Sequence, residues 1–308
     1  MASEKIVIGV ETKYPLQGIL TIPDETNELI PAVVLVHGSG PANMDAKIGN
    51  NTPFKDLAEG LSKKGIAVIR YDKRTLIYGE EMRSDTGLSV KEETIEDAIF
   101  AADLLRQDSR IDSNKVFIVG HSLGGMLAPR IDAEGGDFAG VIIMGGSPRN
   151  FEEILIDQNN NVLNSSNKLL KMIAKKQIAA SSSKFDNIYN LSNEEAKSTT
   201  VLGKYVKAYY FKEMGEHPTV NYLNDLDKPV FILQGDKDFH ISVEKDFGGY
   251  KNLLGDLPNV TFKLYPNLNH LFMPSIYGEL RKAKKEYKVV QHVDEEVIND
   301  ISNWILSV

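Results

Sequence analysis

The sequence predicts an α/β protein: a mostly parallel sheet flanked by helices, interrupted by a helical insertion. Three observations carry this. Strand-like and helix-like stretches alternate through the first half, with short connections. Strand candidates such as residues 31–36 (Pro-Ala-Val-Val-Leu-Val) are continuous apolar runs, which suits strands buried on both faces. From about residue 148 to 224 the pattern changes to helical stretches rich in Lys, Asn and Ser, without a clear strand.

The elements follow in order. Residues 5–10 and 17–22 read as antiparallel strands, with Tyr14-Pro15 near their turn. Residues 54–64 read as a helix, with Thr52 as N-cap and Pro53 at its first position. Gly65 ends it, and 66–71 is the next strand. Residues 90–107 carry helical periodicity through Ile95, Ala98, Ile99, Ala102 and Leu105. A short strand at 116–119, a helix at 123–131 and a strand at 140–144 follow. Strand character resumes at 229–233 and 260–264, and a helix at 294–306 closes the chain. The Lys-rich stretch 281–288 is expected to be a solvated helix face. Residues 1–147 and 226–308 are thus the expected core domain. Residues 148–225 are the expected helical cap, inserted over the sheet edge where open α/β sheets bind ligands.

Composition excludes several function classes. The 308 residues hold no cysteine, which removes a thiol nucleophile, a thiolate zinc site and an iron–sulfur cluster. The net charge of −8 disfavours nucleic acid as a partner. No run approaches the roughly 20 apolar residues that span a bilayer, so no stable membrane association is expected. Residues 6–8 form too short a run for a signal peptide core, and a cytoplasmic protein is expected. Oligomeric state is left open, a homo-oligomer included.

The chemistry concentrates in three places. Residues 116–119 run into Gly120-His121-Ser122-Leu123-Gly124 and then a helix. A serine at the apex of such a sharp strand-to-helix turn is a candidate nucleophile, and side chains at Gly120 and Gly124 would collide across the turn. The second place is His37-Gly38-Ser39-Gly40-Pro41, after a buried strand. An acyl-transfer oxyanion needs two backbone N–H donors already aimed at it. Leu123 and Ser39 are the expected donors, with Gly38 and Gly40 permitting the close approach.

The third place supplies base and acid. Of six histidines, His270 follows the last strand in a loop, where a base is expected. His37 and His121 sit inside the two motifs, His240 flanks the acid, and His217 and His292 have no companion motif. Asp238 is preferred as acid over Asp236, which falls in the tight turn and is expected to bond local backbone. Asp72 and Arg74, ending a strand near the site, are expected to fix the first loop through an ion pair, with substrate contact as the alternative.

These segments resemble bacterial α/β-hydrolase esterases of the serine aminopeptidase and lysophospholipase-like group. The marks are Tyr14-Pro15-Leu16-Gln17-Gly18, the His37–Pro41 and Gly120–Gly125 motifs, Pro53-Phe54-Lys55-Asp56-Leu57-Ala58, Gly65-Ile66-Ala67-Val68, Arg70-Tyr71-Asp72-Lys73-Arg74 and Asn269-His270-Leu271-Phe272. After Pro41 the chain reads Asn43-Met44-Asp45-Ala46, where relatives often carry more acidic residues. The resemblance implies a carboxylesterase acting on small-molecule esters of short to medium acyl chain, with Ser122, Asp238 and His270 as its triad and a helical cap. No metal or organic cofactor is expected. An aminopeptidase would use the same machinery but needs an anion for the substrate's amino terminus. Glu152, Glu153, Asp157, Glu194 and Glu195 are the insertion's candidates for it. A non-enzymatic binding protein is disfavoured by the intact Ser, Asp and His set, and a haloalkane or epoxide hydrolase by Ser122 where those carry an acid.

Overall fold

The computed structural model describes residues 1–24, 28–164, 183 and 185–308. Among them eight strands form one sheet in the order β1-β2-β4-β3-β5-β6-β9-β10. These are β1 (Ala2–Ile8), β2 (Leu16–Ile22), β3 (Ile30–Val36), β4 (Ala67–Tyr71), β5 (Ile111–His121), β6 (Val141–Met144), β9 (Val230–Gly235) and β10 (Val260–Tyr265). β2 pairs antiparallel with β1 and β4, and every other neighbouring pair is parallel. The longer helices are α1 (Pro53–Ser62), α2 (Glu96–Gln107), α3 (Leu123–Ile131), α4 (Phe151–Asn164), α5 (Ala208–Glu216) and α6 (Glu295–Ser307).

The apolar runs have a direct cause in the layering. Side chains alternate between faces along a strand. Val34 and Val36 enter one core cluster with Ala98, Ala102 and Leu105 of α2 and Ala128 of α3. Val33 and Leu35 enter the other, with Leu57 and Leu61 of α1 and Val297 and Ile301 of α6. Helices therefore cover both faces, and neither parity of β3 can be polar.

Some boundaries differ from expectation. β5 starts at Ile111 rather than at 116, because Ile111 pairs with Ile30 across a register shift. The polar Asp112, Ser113 and Asn114 between them hid the continuity. Thr52 does stand before α1, but its side chain makes no capping bond; its carbonyl accepts from the Asp56 N–H instead. The stretch 281–288 is no continuous solvated helix. It breaks into a turn at Leu280–Lys282 and one helical turn at Ala283–Glu286, and buries Glu286 and Tyr287.

Between β6 and β9 the described residues include α4, α5 and a small hairpin of β7 (Thr200–Leu202) and β8 (Val206–Lys207). The hairpin corrects the expectation of no strand; its two strands are too short for a period to register. These elements share an apolar cluster around Phe185, Ile188, Val201 and Phe211. Arg130 of α3 meets Glu213 of α5 at 2.5 Å, pinning the segment to the sheet's helices. Of residues 148–225, residues 165–182 and 184 lie outside the described ones. Among the described residues no helix is long and apolar enough to cross a membrane.

Candidate active site

Ser122 stands between β5 and α3 with φ 56° and ψ −118°, a conformation that costs a non-glycine residue about 1–3 kcal/mol. Its N–H donates to the Met144 carbonyl at 2.9 Å and its carbonyl accepts from Met126 at 3.0 Å. The turn has no room for side chains on either flank. A Cβ on Gly120 would lie 2.2 Å from the Gly124 carbonyl oxygen, and one on Gly124 would lie 2.3 Å from that of Val36. As the first residue of α3, Leu123 has an N–H with no intrahelical acceptor.

The loop after β3 packs directly on this turn. A Cβ on Gly38 would lie 3.1 Å from Ser122 Cβ. Gly40 takes φ +81°. His37 is buried, and its Nε2–H donates to the Asn43 carbonyl at 3.0 Å, closing the loop on itself. Asp45 pairs with Arg70 at 2.9 Å. Asp72 fixes the loop, but through the Met44 N–H at 2.8 Å. The expected Asp72–Arg74 pair does not form. Arg74 turns away to Asp97 at 2.5 Å and Glu96 at 3.0 Å, because α2 offers it two carboxylates, that of Asp97 buried in the core.

β9 and β10 bring the remaining groups. His270 Nδ1 lies 2.7 Å from Asp238 Oδ2. Asp238 Oδ1 accepts from the His240 and Ile241 N–H groups at 2.8 and 3.1 Å. Asp236 is engaged elsewhere, accepting from the Asn267 N–H at 2.6 Å, so its bond is to the neighbouring loop and not to its own turn. The His270 loop is held from below. The Asn269 carboxamide oxygen accepts from Leu271 and Met273, and its nitrogen donates to Glu286 at 3.2 Å. Glu286, wholly buried, also accepts from the Ile276 and Tyr277 N–H groups.

Sequence reasoning underrated two histidines. His121 Nε2–H donates to the His270 carbonyl at 2.9 Å. The His121 and His240 rings each lie 4.7 Å from the His270 ring. Their only sequence signal was position beside Ser122 and Asp238.

Burial governs the charge states. It holds the His270 ring at about 4, well below the ordinary imidazole value. His121 and His240 are held to about 3, by burial first and then by the neighbouring His270. Burial also pushes the Asp238 carboxyl up to about 7, against the pull of His240 and of the Ile241 and His240 N–H groups. Taken singly, those shifts would leave a protonated acid beside a neutral ring. Two backbone N–H groups on Oδ1 favour the anion, and above about 7 the pair stands as carboxylate beside neutral imidazole. That assigns the proton to Nδ1 and leaves Nε2 as acceptor.

Ser39, Ser122, Leu123 and His270 all line one cavity of about 360 Å³, with Asp238 behind His270. Phe151, Ile154, Leu155 and Gln158 of α4 line it from the insertion side. A second cavity of about 430 Å³ adjoins it and shares Ser39, Pro41, Phe151 and Leu155 as walls. A hydroxyl and a neutral imidazole around one cavity, with the backbone of Ser39 and Leu123 in its wall, are the groups that attack on a carbonyl requires.

Sheet order, elbow and the carboxyl-end loops of β3, β5, β9 and β10 define an α/β-hydrolase. The chain belongs to the serine aminopeptidase, S33, family, whose profile matches residues 31–274. It is 37% identical over 293 residues to Esterase EstD of Thermotoga maritima, which covers 94% of this chain. The chain spans 65% of that relative's length. Among solved structures it is similar to the Pyrococcus furiosus esterase PF2001, at TM-score 0.57 and 15% identity over 99% of this chain and 91% of that one. It is also similar to Est1E from Butyrivibrio proteoclasticus, at TM-score 0.58 and 12% identity over 99% of each chain. A proline iminopeptidase from Mycobacterium smegmatis matches at TM-score 0.60 and 12% identity, over 99% of this chain and 98% of that one. At these identities the solved structures speak for the fold alone.

Proposed function

We propose that the chain is a serine carboxylesterase acting on small esters of short to medium acyl chain. Ser122 is the nucleophile, His270 the base, Asp238 its orienting acid, and Ser39 and Leu123 the oxyanion donors. His270 Nε2 takes the Ser122 proton as Oγ attacks the ester carbonyl. The tetrahedral oxyanion is held by the two N–H groups, and His270 then protonates the leaving alcohol. Water, deprotonated by His270, attacks the acyl-enzyme and frees the acid. Residues 148–225 act as the cap over this site, with α4 forming the roof of the cavity. The adjoining cavities offer one chamber to each half of an ester.

One observation carries ester over peptide. Among the described residues no carboxylate lines the cavity at Ser122 to hold a substrate ammonium. Of the two lining the adjoining cavity, Glu93 is paired with Lys73 and Asp85 accepts from the Gly87 N–H. The insertion's acids are spent or remote. Asp157 is paired with Arg149 and Lys245, Glu152 accepts from Tyr189, and Glu195 caps its own helix. The similarity to an esterase supports the same reading. The test is a p-nitrophenyl ester series from acetate to palmitate beside a panel of aminoacyl p-nitroanilides. Turnover is expected on the shorter esters, fading toward palmitate, with the anilides far slower. Anilides turned over faster than every ester would replace this reading with the aminopeptidase one.

A pH profile tests the charge assignment. The base must be neutral, so activity is full above its pKa and is lost as pH falls through it. The Asp238–His270 pair takes up its first proton at about 7, on the acid that burial raises, so kcat/KM for a non-ionising ester should be full above that pH and fall below it. Released alcohol can be followed by chromatography. Activity that stays full down to about 4, where burial holds the ring, would show that protonating the Asp238 side of the pair does not matter.

A further inference from the structure

A buried lysine reaches the oxyanion loop from behind. Lys73 follows β4, and its side chain is 2% exposed. Nζ donates to the Gly38 carbonyl at 2.8 Å and pairs with Glu93 Oε1 at 2.8 Å. The other carboxylate oxygen of Glu93 accepts from the Tyr210 hydroxyl at 2.6 Å. Tyr210 belongs to α5, in the insertion. The Lys73 N–H also donates to the Ala42 carbonyl at 2.9 Å. One chain of contacts thus runs from the insertion, through two buried charges, to the peptide between Gly38 and Ser39.

The geometry of that peptide gives the contact its meaning. No peptide bond among the described residues is cis. A trans peptide aims its C=O and N–H in opposite directions. With the Gly38 oxygen fastened to Lys73 in the interior, the Ser39 N–H must point away from it, toward the cavity that Ser39 and Ser122 share. Among the described residues no backbone acceptor takes that N–H. Gly38, on one side of that peptide, has no side chain to resist its rotation, and Lys73 Nζ fastens its carbonyl. Burying an ammonium and a carboxylate costs several kcal/mol in desolvation, and a purely structural brace could be apolar.

We propose that Lys73 is a positioning residue for the oxyanion hole, and that Tyr210, through Glu93, couples its placement to the insertion. The inference rests on the esterase reading above. A misaimed donor weakens binding of the oxyanion more than binding of the ground-state carbonyl. The loss should therefore fall on kcat and spare KM.

The test uses the full chain, a p-nitrophenyl ester turned over by the parent, and a trifluoromethyl ketone that forms a hemiketal on the serine. Lys73→Met should lower kcat by roughly 100-fold, as for loss of one oxyanion donor, with KM within about threefold. Affinity for the ketone should fall by the same factor as kcat. Tyr210→Phe removes one hydroxyl and should lower kcat and ketone affinity together by a smaller factor. The double variant should be no worse than Lys73→Met. Folded Lys73→Met with parental kcat and ketone affinity overturns the proposal. So does Tyr210→Phe with unchanged kcat and ketone affinity, which also decides the matter where Lys73→Met does not fold. Equal losses in kcat, 1/KM and melting temperature would make Lys73 merely structural. Ser122→Ala belongs in the same assay. If it keeps parental activity, the Ser122 mechanism on which this inference rests fails; if it is inactive beside an unimpaired Lys73→Met, only the present inference fails.

Discussion

Ser122→Ala is expected to lower kcat for p-nitrophenyl acetate by roughly 10⁶-fold, the scale on which a serine hydrolase depends on its nucleophile. The fold should be indifferent to the change. Alanine is no more strained than serine at φ 56°, and the backbone bonds of residue 122 to Met144 and Met126 do not involve the hydroxyl. KM should stay near the parent value, since the cavity walls are intact. Melting temperature measured beside kcat separates chemistry from folding. Substantial turnover by well-folded Ser122→Ala would mean that another group attacks the ester, and the mechanism would have to be rebuilt around it.

Asp238→Asn should cost about 10⁴-fold in kcat, and the structure says why a near-isostere is so harmful. Two backbone N–H groups, from His240 and Ile241, converge on Oδ1. They will hold the carboxamide oxygen of an asparagine in that place. Its NH₂ group must then face His270 Nδ1, where the native carboxylate accepts a bond at 2.7 Å. An NH₂ cannot accept, so Nδ1 must, and the ring proton moves to Nε2. The imidazole then presents a proton to Ser122 where it should present a lone pair. The same substitution at Asp236 is the control, because that residue contacts Asn267 and not His270. A kcat for Asp238→Asn within tenfold of the parent, with Asp236→Asn the weaker enzyme, would exchange the two roles.

How much of this was legible follows from the range over which each signal acts. The elbow was readable because its constraints are local: Gly120 and Gly124 meet within one turn, and Ser122 lies between a β-branched strand and a helix. The runs 31–36 and 140–144 were readable because both faces of those strands are covered. Asp238 and His270 followed from their order after consecutive strands. Lys73, by contrast, looked like one more charge in Arg70-Tyr71-Asp72-Lys73-Arg74. What distinguishes it is contact with Gly38 and Glu93, residues brought near only by the sheet. Arg74 was misread for the same reason, since its partners Asp97 and Glu96 lie on α2. Glu286 hid inside a Lys-rich stretch whose composition announced solvent.

The strand order has a consequence for how the molecule matures. The loops bearing Ser39, Ser122, Asp238 and His270 leave β3, β5, β9 and β10, and parallel neighbours cannot be joined by a hairpin. β9 must find β6 across the whole insertion, a pairing of longer sequence separation than that of β10 with β9. Pairings of such long sequence separation close slowly, after local helices have formed. The loops bearing Ser122 and His270 therefore come together only when β9 has paired with β6. A refolding chain would therefore gain its helical signal first and the juxtaposition of Ser122 with His270 later.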